Sequence, residues 1–174
     1  KLAVLKESFC TERWVAYTPT ELDPRPDHLR SATAAGIEAD LRVLKPYFNV
    51  VVTYSASTQQ GTDLVVPVAS KLGMRVCLGI WDVKSTVEIQ RAVSLARQYP
   101  KTVIAVIVGN ETLLARRASW EELEAAFHLV RASLPNMPIS TSEPITAYGN
   151  EDLRRIVDFH APNAHFVFVS SDRQ

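Results

Sequence analysis

Apolar residues fall into short runs separated by amphipathic stretches, and the two kinds of segment alternate along the chain. The runs lie at 14–17, 50–54, 75–80, 103–108, 138–142 and 159–163. Most are rich in β-branched residues and bounded by Gly, Pro, Asn or Ser, as strands buried on both faces should be. The last two are weaker and read as strands only through the repeat. Between them the spacing predicts helices. Segment 31–44 places Ile37, Leu41 and Leu44 on one stripe. Segment 63–72 follows Gly61 and Thr62, with Thr62 as the expected N-cap and Gly73 at the C-terminal cap position. Segments 85–98 and 119–134 each open on a capping box, Ser85 with Glu88 and Ser119 with Glu122. They carry Ile89, Val93 and Ala96, and Leu123, Phe127, Val130 and Leu134, on their inner faces. A short helix is expected at 151–157.

This alternation means an α/β fold with a parallel sheet. Strands recur at roughly 20–35 residues, the size of a βαβ unit in a barrel or in a doubly wound sheet. Spacing alone does not choose between the two. No Gly-rich phosphate-binding motif follows any run, so a nucleotide site has no support.

In either architecture reacting groups sit at the carboxyl ends of the strands. Those ends read Tyr17-Thr18, Tyr54-Ser55, Trp81-Asp82, Asn110-Glu111, Ser142-Glu143, and Asn163 with His165. The set is polar, aromatic and acidic, directly after nearly featureless apolar runs. Tyr and Trp offer flat faces to a pyranose ring, and Asn, Glu and His hydrogen-bond to hydroxyls. A carboxyl walled by aromatics is also the setting in which a pKa rises far enough for a general acid. Each residue has a plainer reading as well. Glu111 could begin a helical turn, Glu143 before Pro144 could be a turn residue, and Tyr54 and Trp81 could cap the core. Asp82 reads better as a helix-start neighbour, and Arg116-Arg117 as a solvated pair that could also touch sugar hydroxyls. His165, like His28, His128 and His160, has no partners at metal-ligand spacing. Neither a metal nor a cofactor is expected.

The segment Val106-Ile107-Val108-Gly109-Asn110-Glu111 carries the sharpest signal. Val108-Gly109-Asn110-Glu111 resembles the fourth-strand motif of glycoside hydrolase family 17. Other segments agree in order: Trp14-Val15-Ala16-Tyr17-Thr18-Pro19 resembles the first strand, and Asp40-Leu41-Arg42-Val43-Leu44 with Thr53-Tyr54-Ser55 the first helix and second strand. Gly79-Ile80-Trp81 resembles the third strand, Thr141-Ser142-Glu143-Pro144 the fifth, and Val157-Asp158-Phe159 through Asn163-Ala164-His165 the sixth. The resemblance implies a (β/α)8 barrel of which about six βα units are present, and a retaining glycosidase or transglycosylase acting on β-1,3-glucan. It implies Glu111 as acid/base, Asn110 on the sugar 2-hydroxyl, and Tyr17, Tyr54, Trp81, Glu143, Asn163 and His165 around the substrate.

Two departures from the family pattern stand out. Val52 occupies the position where relatives carry Arg before Thr-Tyr-Ser. The family's nucleophile is a Glu on strand 7, and this chain ends after strand 6, so the second carboxylate is expected from a longer chain or a partner. Glu143, on the strand next to Glu111, is the alternative within the chain. A non-catalytic glucan-binding module, and an open sheet unrelated to sugars, are the competing readings.

Composition adds little to this. The 174 residues, 47% hydrophobic, suit one partial barrel domain spanning 1–174. Lys+Arg and Asp+Glu are both 19, with no basic patch to suggest nucleic acid or an anionic membrane surface. Neutrality fits an uncharged ligand. The chain starts at Lys1 without Met, residues 1–5 are too short for a signal core, and no stretch approaches the ~20 apolar residues of a membrane span. Cys77 reads as an inert core thiol, although pairing with Cys10 stays open. An extracytoplasmic location is expected from the substrate class.

Overall fold

The computed structural model describes residues 2–164. Five parallel strands form one sheet in sequence order, β1 (Trp14–Ala16), β2 (Val50–Val52), β3 (Arg75–Ile80), β4 (Val103–Asn110) and β5 (Ile139–Ser142). Neighbours in space are neighbours in sequence, which is the strand order of a (β/α)8 barrel and not of a doubly wound sheet. The chain is an α/β partial barrel.

Helices α2 (Ala34–Leu44), α3 (Val65–Leu72), α4 (Thr86–Gln98) and α5 (Trp120–Ser133) connect the strands, and α6 (Glu151–Ile156) follows β5. One face of the sheet, with Val51, Val76, Leu78, Val106 and Ile139, packs with Ile37, Leu41, Ile89, Leu123 and Phe127 of these helices into the main core. The opposite face, with Val50, Cys77, Ile104, Ala105 and Ile107, is the inner face of the barrel wall.

The sequence reading missed α1 (Leu2–Thr11). It lies against that inner face, where Leu5 is buried among Val50, Cys77 and Ile107. Phe9 stacks on Trp14 at 4.7 Å and tilts against Phe159 at 6.0 Å. Only Leu5 and Ser8 of the helix are buried, too narrow a stripe to announce an amphipathic helix.

Three expectations need correcting. Segment 159–163 is not a laddered strand: it forms one isolated parallel bridge, Asn163 with Pro144, two residues beyond the end of β5. Side chains intercept its other backbone groups. Ser140 Oγ donates to the Phe159 carbonyl at 2.5 Å, and Ala161 N–H donates to the Tyr148 hydroxyl at 3.2 Å. Pro162 has no N–H to offer. Thr62 does not cap α3. A 3-10 turn, Thr62–Leu64, precedes that helix, and the buried Thr62 hydroxyl instead accepts Ser57 N–H at 3.0 Å. At the start of α4, Ser85 caps Glu88 N–H as expected, but the Glu88 carboxylate turns away to a different task.

Both cysteines are free, Cys10 exposed and Cys77 buried. Burial pushes the Cys77 thiol up to about 12. Among the described residues no helix is long and apolar enough to cross a membrane.

Candidate active site

The end of β4 is bent out of its ladder. The register with β5 shifts between Ile107 and Asn110, and Asn110 sits between two residues in left-handed backbone, Gly109 at φ +80° and Glu111 at φ +50°. Gly109 is required there, because an added Cβ would lie 2.6 Å from Thr112 Oγ1. For Glu111 the conformation costs roughly 1–2 kcal/mol. The kink brings both side chains to the rim, where a regular strand would turn alternate residues to opposite faces.

Neighbouring groups hold the kink. Glu111 N–H donates to the Ser142 carbonyl at 2.6 Å, and one helical turn follows, closed by Ala115 N–H on the Glu111 carbonyl at 2.9 Å. Glu143 lies underneath with no exposure to solvent. Its carboxyl oxygens accept Leu113 N–H at 3.0 Å and Leu114 N–H at 3.4 Å. The expectation that Glu143 meets substrate is therefore corrected: its oxygens serve the turn that carries Glu111.

Asn163 joins the two rim residues. Ser142 Oγ donates to Asn163 Oδ1 at 2.7 Å, which turns Nδ2 toward Asn110 Oδ1 at 3.2 Å and Glu111 Oε1 at 3.0 Å. Asn163 reaches this point through its backbone bond to the Glu143 carbonyl at 2.9 Å. The sequence placed Asn163 at the site, and the structure puts it against the carboxyl group of Glu111.

Tyr54 and Trp81, 39% and 40% exposed, stand at the ends of the next two strands. They line a cleft of about 540 Å³ together with Tyr17, Pro19, Leu22, Gln60 and Asn110. Tyr17 contributes its ring to the wall. Its hydroxyl is occupied by Asp40 Oδ2 at 2.8 Å, and burial, then Asp40, raises the phenol above its ordinary range. Close approach at Gly79 sets the spacing of β3 from the backbone under Tyr54: an added Cβ would overlap the Thr53 carbonyl oxygen and lie 2.6 Å from the Tyr54 carbonyl carbon. His165 lies outside the described residues.

Two residues take roles that the sequence reading did not assign, Arg117 being expected there as half of a solvated pair that could touch sugar hydroxyls. The buried Glu88 carboxylate accepts Ala56 N–H and Trp81 N–H, both at 2.9 Å, and Asp82 N–H at 3.0 Å, so one side chain fixes the rims after β2 and β3. Its place in an apparent capping box concealed this. Arg117 is the other: its guanidinium lies 4.0 Å over the Trp81 ring and donates to the Asn110 carbonyl. Among the described residues no group of three or more His, Cys, Asp or Glu could hold a metal ion.

Residues 15–173 match the BtgE/BtgC glycoside hydrolase domain, more than half of the chain in one alignment. The chain belongs to this family. A glucan 1,3-β-glucosidase of Arthroderma benhamiae is 30% identical over 120 residues, covering 67% of this chain and 39% of the relative. A glycoside hydrolase family 17 β-1,3-glucanosyltransferase from Rhizomucor miehei shares the fold, with a TM-score of 0.67 at 22% identity. That match covers 87% of this chain and 56% of the Rhizomucor chain. An active-site mutant of the same enzyme in complex with laminaritriose matches equally well, again with a TM-score of 0.67. The chain thus spans between 39% and 56% of the length of these relatives. The family 17 resemblance read from the motifs agrees with the fold.

Proposed function

We propose that this chain supplies the acid/base half of a retaining glycosidase or transglycosylase site for β-1,3-glucan, with Glu111 as the proton carrier. The observation that carries the reading is the Asn110–Glu111–Asn163 cluster at the end of β4, held together by one amide and opening beside the Tyr54–Trp81 cleft. The sugar's apolar face would rest on the two aromatic rings. Asn110, with its Oδ1 taken by Asn163, has Nδ2 to offer the 2-hydroxyl. Glu111 would protonate the departing glycosidic oxygen and then take a proton from water or from an acceptor sugar. Asn163 fixes the direction of the Glu111 carboxyl group through both halves of the cycle.

Retention also needs a nucleophilic carboxylate about 5–5.5 Å from the acid/base group. Glu143 does not fit that role, because it is sealed from solvent and its oxygens are bound to the turn. We assign the nucleophile to a part of the barrel other than β1–β5, contributed by a longer chain or by a partner. We propose an extracytoplasmic location on the strength of the proposed substrate class alone.

The test is product analysis on a linear β-1,3-gluco-oligosaccharide with the barrel completed by the part that supplies the nucleophile, and with its Glu111→Gln variant. Cleavage or elongation that falls about 10²–10⁴-fold in the variant supports the assignment. One observation favours a second reading, a glucan-binding module without catalysis: Val52 stands, half-buried on the inner face, at the position where the family 17 resemblance implies Arg. Undiminished glucan affinity in Glu111→Gln, with no turnover in either protein, selects that reading.

A further inference from the structure

Trp81 and Asn110 reach the rim from the ends of different strands, and one side chain touches both. Arg117 covers the Trp81 ring at 4.0 Å and donates through Nη2 to the Asn110 carbonyl oxygen. The backbone explains how it gets there. The turn after Glu111 closes with Arg116 N–H on the Leu113 carbonyl at 3.1 Å and Arg117 N–H on the Thr112 carbonyl at 3.0 Å. Arg116 adopts φ +53° between them. This is a Schellman closure, with the left-handed residue at the position that Gly usually takes. It reverses the chain and returns Arg117 over the end of β4 toward β3.

Trp81 is held from two directions. Glu88 binds its backbone N–H at 2.9 Å, which leaves rotation of the side chain as the remaining freedom. Trp81 lines both the 540 Å³ cleft and a smaller pocket of about 240 Å³, which Arg117 lines as well. A planar guanidinium suits this place better than an ammonium, because it can lie flat on the ring while its edge donates to a carbonyl.

We propose that Arg117 is a positioning residue that holds the Trp81 ring in its sugar-stacking orientation and so sets the affinity of the cleft for glucan. The affinity part rests on the function proposed above; the restraint on the ring does not. Removing the stack leaves the ring to be ordered by the ligand, and weakens binding by about 3–10-fold. The effect is read in Kd, because Trp81 grips the sugar and Arg117 acts on that ring.

Two readouts test this. The first, without ligand, is the indole N–H resonance of Trp81, assigned by its absence in Trp81→Phe. The expected result is displacement or broadening of that resonance in Arg117→Ala and a smaller change in Arg117→Lys. An unchanged resonance in Arg117→Ala overturns the proposal. The second is the Kd for laminarihexaose in a double-mutant cycle. Arg117→Ala should weaken binding about 3–10-fold alone and less than about twofold when Trp81 is already Ala. Equal weakening in both backgrounds overturns the positioning role. A wild-type protein that binds no laminarihexaose overturns the proposed function and the affinity claim together, and the indole resonance still decides whether the ring is held.

Discussion

Replacing Glu143 separates a substrate contact from a structural support. The carboxyl group is fully buried and accepts two backbone N–H bonds from the turn that follows Glu111. Glu143→Leu removes both acceptors at similar volume and leaves two N–H groups without partners. An orphaned donor costs about 1–3 kcal/mol when buried, and the 3.4 Å bond from Leu114, a residue 62% exposed, belongs at the low end. The expected loss is about 2–4 kcal/mol. Glu143→Gln keeps the Leu113 bond and sets an amide N–H against Leu114 N–H, so about half of that loss is expected. With a urea slope of about 2 kcal/mol/M, the Leu variant should unfold about 1–2 M earlier, and the Gln variant at an intermediate concentration. Urea titration followed by circular dichroism measures this directly. A Leu variant with an unchanged midpoint and weakened glucan binding would refute the argument, since it would place Glu143 in the cleft.

Three further substitutions and treatments test the rest of the frame. Thr112 is 1% exposed and its Oγ1 has no hydrogen-bond partner among the described residues, so Thr112→Val should stabilise the fold by about 1 kcal/mol in thermal or urea unfolding; a loss of that size would contradict it. In Gly79→Ala the new Cβ meets the backbone of Thr53 and Tyr54, which cannot rotate away, so a loss of at least about 3 kcal/mol is expected in the same assay. A cost below 1 kcal/mol would show that β2 and β3 are farther apart than described. Cys77, buried and pushed up to about 12, should stay unreactive at pH 8 while exposed Cys10 is labelled. An aromatic disulfide reagent should therefore count one thiol in the native protein and two after denaturation, and two at once in the native state would contradict the buried position.

The layout of the fold was legible because each βα unit writes its own period. The third strand, 75–80, was read at its observed bounds, and the helices at 85–98 and 119–134 to within a residue at each end. What was not legible depends on groups far apart in sequence. Helix α1 owes its place to the inner face of the sheet, against which Leu5 is buried. Segment 159–163 reads as a strand only through the repeat, and Ser140 and Tyr148 take the backbone groups a ladder would use.

The site divides in the same way. Placing Asn110, Glu111, Tyr54 and Trp81 at strand ends needed only the alternation of segments. Telling cleft from support needed side-chain direction. Glu143 and Glu88 look alike as acids beside the rim, yet both point into the protein and bind backbone N–H groups of the loops that carry the site. Arg117 could not be assigned from sequence, because its position depends on Arg116 taking a left-handed conformation that local preference opposes.

The central claim, that the strand ends around Glu111 hold a β-1,3-glucan, is tested most directly by titrating the protein with laminarihexaose and following backbone and indole N–H resonances. The account predicts saturable changes concentrated at Tyr54, Trp81, Asn110 and Glu111, with none from cellohexaose at the same concentration. Changes centred on the groove between α4 and α5 around Gln90, Arg97 and Leu129, or none at all, would contradict it.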